Sequence, residues 1–166
     1  MYKLLAFALF FHGFLQAQPL SLISFNLESG DADIEFLSDQ ISAIEKPVDV
    51  WLFQEALPRW FDQLENAVKK QSNSEVVAIM GNTGGADRLV TVLVSKRFHL
   101  VEVQELDHIN IGNRVRAPLS VKISSGDREM ILVNNHLYRS SADGRWRQSQ
   151  MLHQWAAEQN VPVVIN

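Results

Sequence analysis

The run VDVWLF, residues 48–53, constrains the fold more than any other segment. It follows the helix-breaking Pro47 and is almost continuously apolar, the pattern of a strand covered on both faces rather than one with a wet side. Whatever surrounds it must therefore supply cover twice. The neighbouring segments read as that cover. LSLISFN reads as a short buried strand, and Ile34, Leu37, Ile41 and Ile44 then recur at helical spacing. Trp60, Leu64 and Val68 mark a second helix with Pro58 near its start.

The middle of the chain changes character. VVAIM, LVTVLVS and HLVEVQEL are β-rich and separated by GNTGGAD and by the basic pair Lys96 and Arg97, which predicts a meander. PLSVKI alternates Leu119, Val121 and Ile123, the turn segment SSGDRE follows, and MILVNN completes an antiparallel hairpin. A helix is expected from about Arg145 to Gln159, with Met151, Leu152 and Trp155 on one face, and NVPVVIN then reads as a buried return strand. No internal repeat, low-complexity tract or linker interrupts this order, so the class is α/β with mixed strands in one domain.

The opening 17 residues, MYKLLAFALFFHGFLQA, stand apart. One cation, Lys3, precedes an apolar stretch from Leu4 to Leu15, and the small Ala17 offers a cleavage point. This is the layout of a secretory signal peptide, and the stretch is shorter than the ~20 apolar residues of a membrane span. The expectation is a secreted or periplasmic protein, with a mature domain over residues 18–166 and no stable membrane span once the leader is cleaved. Lys3 is the only charged residue of the leader, so its loss takes the formal charge from −4 to −5. Such a balance argues against a surface that grips polyanions indiscriminately, while leaving room for a local basic cleft. With no cysteine in the chain, the fold stands without disulfides.

Three polar residues end apolar strand patterns: Asn26 after LISF, Glu55 after WLFQ, and His136 after ILVNN. Rigid strands commonly hold functional groups at their ends. Taken singly, an Asn there caps a turn, a Glu is solvated, and a His is an ordinary hydrogen-bonding residue. Their order carries more. ISFN, WLFQEA and VNNHLYR, the last with Asn134, His136 and Leu137, resemble in sequence the motifs of the endonuclease/exonuclease/phosphatase family, the deoxyribonuclease-like metal-dependent phosphoesterases. RLVTVLVSKRF resembles the strand and Ser-Lys/Arg turn of that family, RVRAPLSVKI its Arg-x-Pro hairpin start, and RWRQSQMLHQW its Arg-x-x-Gln helix. The last match is made either through Arg145 and Gln148 or through Arg147 and Gln150.

The resemblance implies a deoxyribonuclease-like α/β sandwich with mixed, largely antiparallel sheets. It implies Glu55 as an oxygen ligand for Mg²⁺, with Mn²⁺ as a substitute, Asn26 as a residue orienting that site, and His136 as a partner of the phosphoryl group or of the leaving group. Arg116 would contact substrate phosphate, and Tyr138 is a further substrate-binding candidate for which packing is the competing role. In the family, PVVI leads on to Gly-Asp-x-Asn and later to an Asp-His pair. The chain is thus expected to be the N-terminal portion of such a domain, incomplete and inactive alone, with the general base in the remaining part. His153 reads as structural or solvated and Asp143 as a turn residue. GNTGGAD lacks the Lys-Ser/Thr ending of a P-loop. The implied partner is a phosphate-ester substrate, whether nucleic acid, phospholipid or small phosphodiester, with no obligate protein partner evident. The alternative is a non-catalytic secreted binding protein that keeps the fold without the chemistry.

Overall fold

The central strand is β2, Val50–Ala56, and every residue in it except Glu55 is buried. The computed structural model describes residues 19–28, 32–111 and 116–166; the expected leader, residues 1–17, lies outside them. Beside β2 runs the parallel strand β1, Leu22–Asn26, in a register that sets Asn26 opposite Gln54. On its other side β4, Arg88–Val94, pairs antiparallel, and β3, Val76–Met80, closes the sheet in the order β1-β2-β4-β3. A second sheet has the order β5-β6-β7-β8, from His99–Glu105, Leu119–Ser125, Arg128–Asn134 and Val163–Ile165, with only β7 and β8 parallel.

The two sheets meet over a core of Val50, Leu52, Leu89, Leu93, Leu119, Val121, Ile123 and Leu132, the inward half of each strand's alternation. The outward half of β2 and β4, with Trp51, Phe53, Val90 and Val92, packs against two helices. These are α1, Ile34–Ser42, and α2, Phe61–Ser72. The Asp33 carboxylate caps α1 by accepting from the Glu35 and Phe36 N–H groups. A 3-10 turn over Pro58–Trp60 leads into α2, which Asn73 ends in the left-handed conformation. The third helix, α3, Ala142–Ala157, sets Leu152 beside Ile131 and Val133 on the outer face of the second sheet. VDVWLF thus has the two covers its composition demanded.

Four expectations need correction. The predicted meander is broken, because β3 and β4 pair in one sheet whereas β5 crosses to the other and pairs with β6. LSLISFN is not a buried strand, because β1 is a sheet edge, and β8 of NVPVVIN lies at the other sheet's edge among the described residues, with Val164 and Ile165 at 36% and 39% exposure. The third helix starts at Ala142 rather than Arg145, because the Ser141 hydroxyl accepts from the Gly144 N–H and nucleates the turn earlier. Asp143 accordingly sits in the first turn of α3, where a carboxylate complements the helix dipole, and not in a loop. Among the described residues no helix is long and apolar enough to cross a membrane.

Candidate active site

A bulge in β2 decides where Glu55 points. Phe53 pairs with Val90 and Ala56 with Arg88, so Gln54 and Glu55 together oppose the single residue Leu89. The extra residue is Glu55, whose φ of 58° lies in the left-handed region. Inward and outward alternation resumes after it, and Ala56 rejoins Phe53 on the outer face. The bulge thereby turns one carboxylate out of the ladder at the strand end.

Around that carboxylate the other predicted residues gather. Asn26 Nδ2 donates to Glu55 Oε1 at 3.3 Å, and His136 Nε2 lies 3.3 Å from the same oxygen. The Asn26 side-chain oxygen accepts from the Glu28 N–H at 2.9 Å, and Glu28 also has a left-handed φ of 52°. Asn26, Glu28, Glu55, His136, Leu137, Arg139 and Arg145 line one open cleft of about 590 Å³. Three residues separated by as many as 110 positions therefore share one end of the sandwich. Asn166 reaches the same end, donating to the Ser24 hydroxyl and accepting from the Asn135 N–H.

His136 has its pKa held below the usual 6.5, first by burial and then by the positive charge of Arg116. Arg139 acts in the same direction, while Glu55 and Asp87 pull it upward. Near neutral pH the ring is consequently uncharged, a hydrogen-bond donor through one nitrogen. Glu55 contributes a hard oxygen donor with an amide and an imidazole beside it. Among the described residues no three His, Cys, Asp or Glu side chains gather into a cluster able to hold a metal by themselves. A single carboxylate can still serve a hard divalent cation that keeps several of its waters.

Arg116 and Tyr138 stand differently. Arg116 is ion-paired with the buried Asp87 through its Nε and Nη2 and packs on Gly84, outside the cleft lining, although its charge reaches His136. Gly84 has φ 120°, and a Cβ there would meet the Asp87 carbonyl oxygen at 2.6 Å. Tyr138 lays its ring against Gly144 of α3, where an added Cβ would sit 2.6 Å from Cδ1. That close approach is the packing role weighed for it. The backbone N–H groups of the GNTGGAD loop are partly engaged by a carboxylate of the same chain. The loop is pinned by Glu105, whose Oε1 accepts from the N–H groups of Asn82 and Thr83 and from the Thr83 hydroxyl.

The two Arg-x-x-Gln pairs are placed differently. Gln148 is fully buried, accepting from the Tyr138 N–H at 2.8 Å and donating to the Ile109 carbonyl at 3.2 Å. Arg145, on the cleft rim, donates to the carbonyls of Tyr138 and Arg139. Arg147 and Gln150 are exposed, as is His153. Glu28, Arg139 and Arg145 line the cleft without having been singled out as site residues from sequence. Only the helix start, fixed by Ser141, would have pointed to Arg145.

The fold has counterparts among solved structures. D. rerio TDP2, humanized by 14 mutations, superposes with a TM-score of 0.71 at 20% identity, over 88% of this chain and 59% of that one. An endonuclease/exonuclease/phosphatase family protein from Leptotrichia buccalis gives a TM-score of 0.67 at 13% identity, over 89% and 66%. The fold is that of endonuclease/exonuclease/phosphatase proteins. ANGEL2, described as a 2',3'-cyclic phosphatase, shares this endonuclease/exonuclease/phosphatase fold with a TM-score of 0.65 at 14% identity, over 88% of this chain and 51% of its own. D. rerio TDP2 also superposes in a complex with single-strand DNA product, with a TM-score of 0.67 at 18% identity, over 88% and 58%. The chain spans about three fifths of the length of the TDP2 structures it matches. No protein-family model and no curated protein matches it.

Proposed function

We propose that this chain carries part of the active site of a divalent-cation-dependent phosphodiesterase, exported by its N-terminal leader. The observation that carries the reading is the meeting of Asn26, Glu55 and His136 in one cleft. The fold supports it, since proteins that share it include one described as a cyclic phosphatase and one complexed with a DNA product. Fold alone does not assign chemistry, and the side chains at the strand ends supply that part of the argument.

Glu55 would hold Mg²⁺, with Mn²⁺ as a substitute, and Asn26 would keep the carboxylate turned toward it through Nδ2. When bound, the cation offsets negative charge that develops on phosphorus and on the leaving oxygen. His136, uncharged near neutral pH, would donate a hydrogen bond to a phosphoryl oxygen rather than act as a pre-charged acid. Arg139 and Arg145 place two guanidinium groups among the residues that line the cleft, suited to contact an anionic substrate.

The test is Glu55→Gln in the protein as encoded by its gene, assayed with bis(p-nitrophenyl) phosphate and Mg²⁺. The substitution keeps shape and removes the charge that balances the cation, so turnover should fall by about a hundredfold or more while the unfolding temperature changes little. Near-normal Mg²⁺-dependent turnover would remove Glu55 from the mechanism. Export is checked separately: the N-terminus of the mature protein should begin at Gln18.

A further inference from the structure

The most unusual feature of the core is polar. Along β2 the inward-facing positions run Val50, Leu52, Gln54, and along β7 they run Met130, Leu132, Asn134. Both patterns thus end in an amide at the same end of the inter-sheet core. Gln54 is 5% exposed and Asn134 is 0% exposed. Burying two amides is unfavourable unless their hydrogen bonds are made, and these are made largely to each other and to one place in the backbone.

Gln54 Nε2 donates to Asn134 Oδ1 at 2.8 Å and to the Leu52 carbonyl at 2.9 Å. Asn134 Nδ2 donates to the carbonyls of Phe53 and Val90, both at 3.0 Å. Phe53 and Val90 are the last regular pair before the bulge that turns Glu55 out of the ladder. A side chain from the second sheet therefore satisfies carbonyls of the first sheet at the position where its own pairing is interrupted. Glu55 follows Gln54 directly, and His136 lies two residues beyond Asn134. The two groups that meet at 3.3 Å in the cleft are each attached to one half of this buried pair.

We propose that Gln54 and Asn134 form an inter-sheet amide clasp that sets the separation of Glu55 and His136, so that both are positioning residues for the cleft. Neither touches substrate, and the clasp acts through the bulge on one side and the end of β7 on the other. In its catalytic consequence this rests on the phosphodiesterase reading; in its geometry it does not.

The experiment replaces Gln54 by Met, similar in length and without an amide, which leaves the two Asn134 bonds to Phe53 and Val90 in place. Gln54→Leu, shorter and branched, carries the same test should the first variant fail to fold. Crystal structures of wild type and variant give the separation of Glu55 Oε1 and His136 Nε2. Widening beyond hydrogen-bonding range supports the clasp, and an unchanged 3.3 Å in a folded variant overturns it. In wild type, the side-chain amide protons of both residues should exchange slowly with solvent and show a mutual nuclear Overhauser effect; rapid exchange would also overturn it. Kinetics with bis(p-nitrophenyl) phosphate and Mg²⁺ should show kcat lowered about tenfold to a hundredfold, the scale of a misplacement near 1 Å, with KM nearly unchanged. In a His136→Ala background the same substitution should then have little further effect on kcat, whereas full additivity would count against the clasp. A wild-type protein with no Mg²⁺-dependent turnover would sink the phosphodiesterase reading, while the crystallographic distance would still decide the clasp.

Discussion

Among the described residues the two sheets have four strands each but opposite relations to water. In the first sheet the central strands β2 and β4 are buried at every position except Glu55 and Arg88, between the second sheet and the α1–α2 layer. In the second sheet β5 is exposed from His99 to Gln104, including Leu100, Val101 and Val103 at 42%, 47% and 42%. Cover there comes from α3 over Ile131 and Val133 and does not reach β5. The lesson is that the cleft hangs from the strongly buried strands. Glu55 is carried by β2 and His136 by the end of β7, whose residues Ile131–Asn134 are all buried, so the chemistry sits where the fold yields least.

The comparison breaks if a substitution on β5 costs as much as a core truncation on β2. Phe53 is 0% exposed and stacked on Trp51 with ring centroids 5.5 Å apart, so Phe53→Ala should destabilise by about 3–5 kcal/mol. Val103→Thr on β5 should stay within about 0.5 kcal/mol, because it changes an exposed edge and fills no cavity. Denaturant midpoints measured on both variants decide it. A comparable loss for Val103→Thr would mean that something covers β5 in solution.

Gln148 offers a smaller and more local contrast. It ties the segment after β7 to α3 and to Ile109, and Gln148→Leu would strip partners from the Tyr138 N–H and the Ile109 carbonyl. The expected destabilisation is about 1–3 kcal/mol. Amide exchange should quicken at Tyr138 and its neighbours and stay unchanged in β2. If β2 loosened equally, the two sheets would behave as one cooperative unit rather than as a rigid and a softer one.

What could be read from sequence follows the same division. Burial on both faces writes itself into composition, which is why VDVWLF announced its place and why Glu55 at its end was visible. HLVEVQE keeps three apolar residues in seven, and all three are exposed because the strand lies at the sheet edge, a placement that nothing local in the segment encodes. The meander failed for that reason, since GNTGGAD and the Lys96–Arg97 turn look alike as turns, although only the second leads to a change of sheet. Asn26, Glu55 and His136 were legible as strand ends. Gln54 and Asn134 were not, because a polar residue after an apolar run reads as the end of burial, whereas here the alternation continues inward and the two amides satisfy each other across sheets. Arg145–Gln148 and Arg147–Gln150 share one spacing, and only the helix phase separates them.

The smallest expected effect joins the two sheets through a carboxylate. Glu105, at the end of exposed β5, accepts from Asn82 and Thr83 of the loop after β3, and the Thr83 hydroxyl in turn accepts from the Ala117 N–H. Burial alone would raise its pKa above the ordinary 4.5, but the hydrogen bonds from Thr83 and Asn82 outweigh it and hold the pKa below that value. The sign follows from linkage: a carboxyl depressed on folding contributes stability that is fully present above pH 4.5 and lost as pH falls through the lower folded value. Glu105→Gln should therefore lower the unfolding temperature modestly at neutral pH, and the gap from wild type should close as pH drops below 4.5. Because the group is only partly buried, the effect should be smaller than that of Gln148→Leu and should shrink with added salt. Thermal unfolding of both proteins across this pH range measures it. A gap that persists in acid would show that the carboxylate charge contributes nothing and that shape alone holds the loop, leaving the two sheets joined through their shared core and the buried amides.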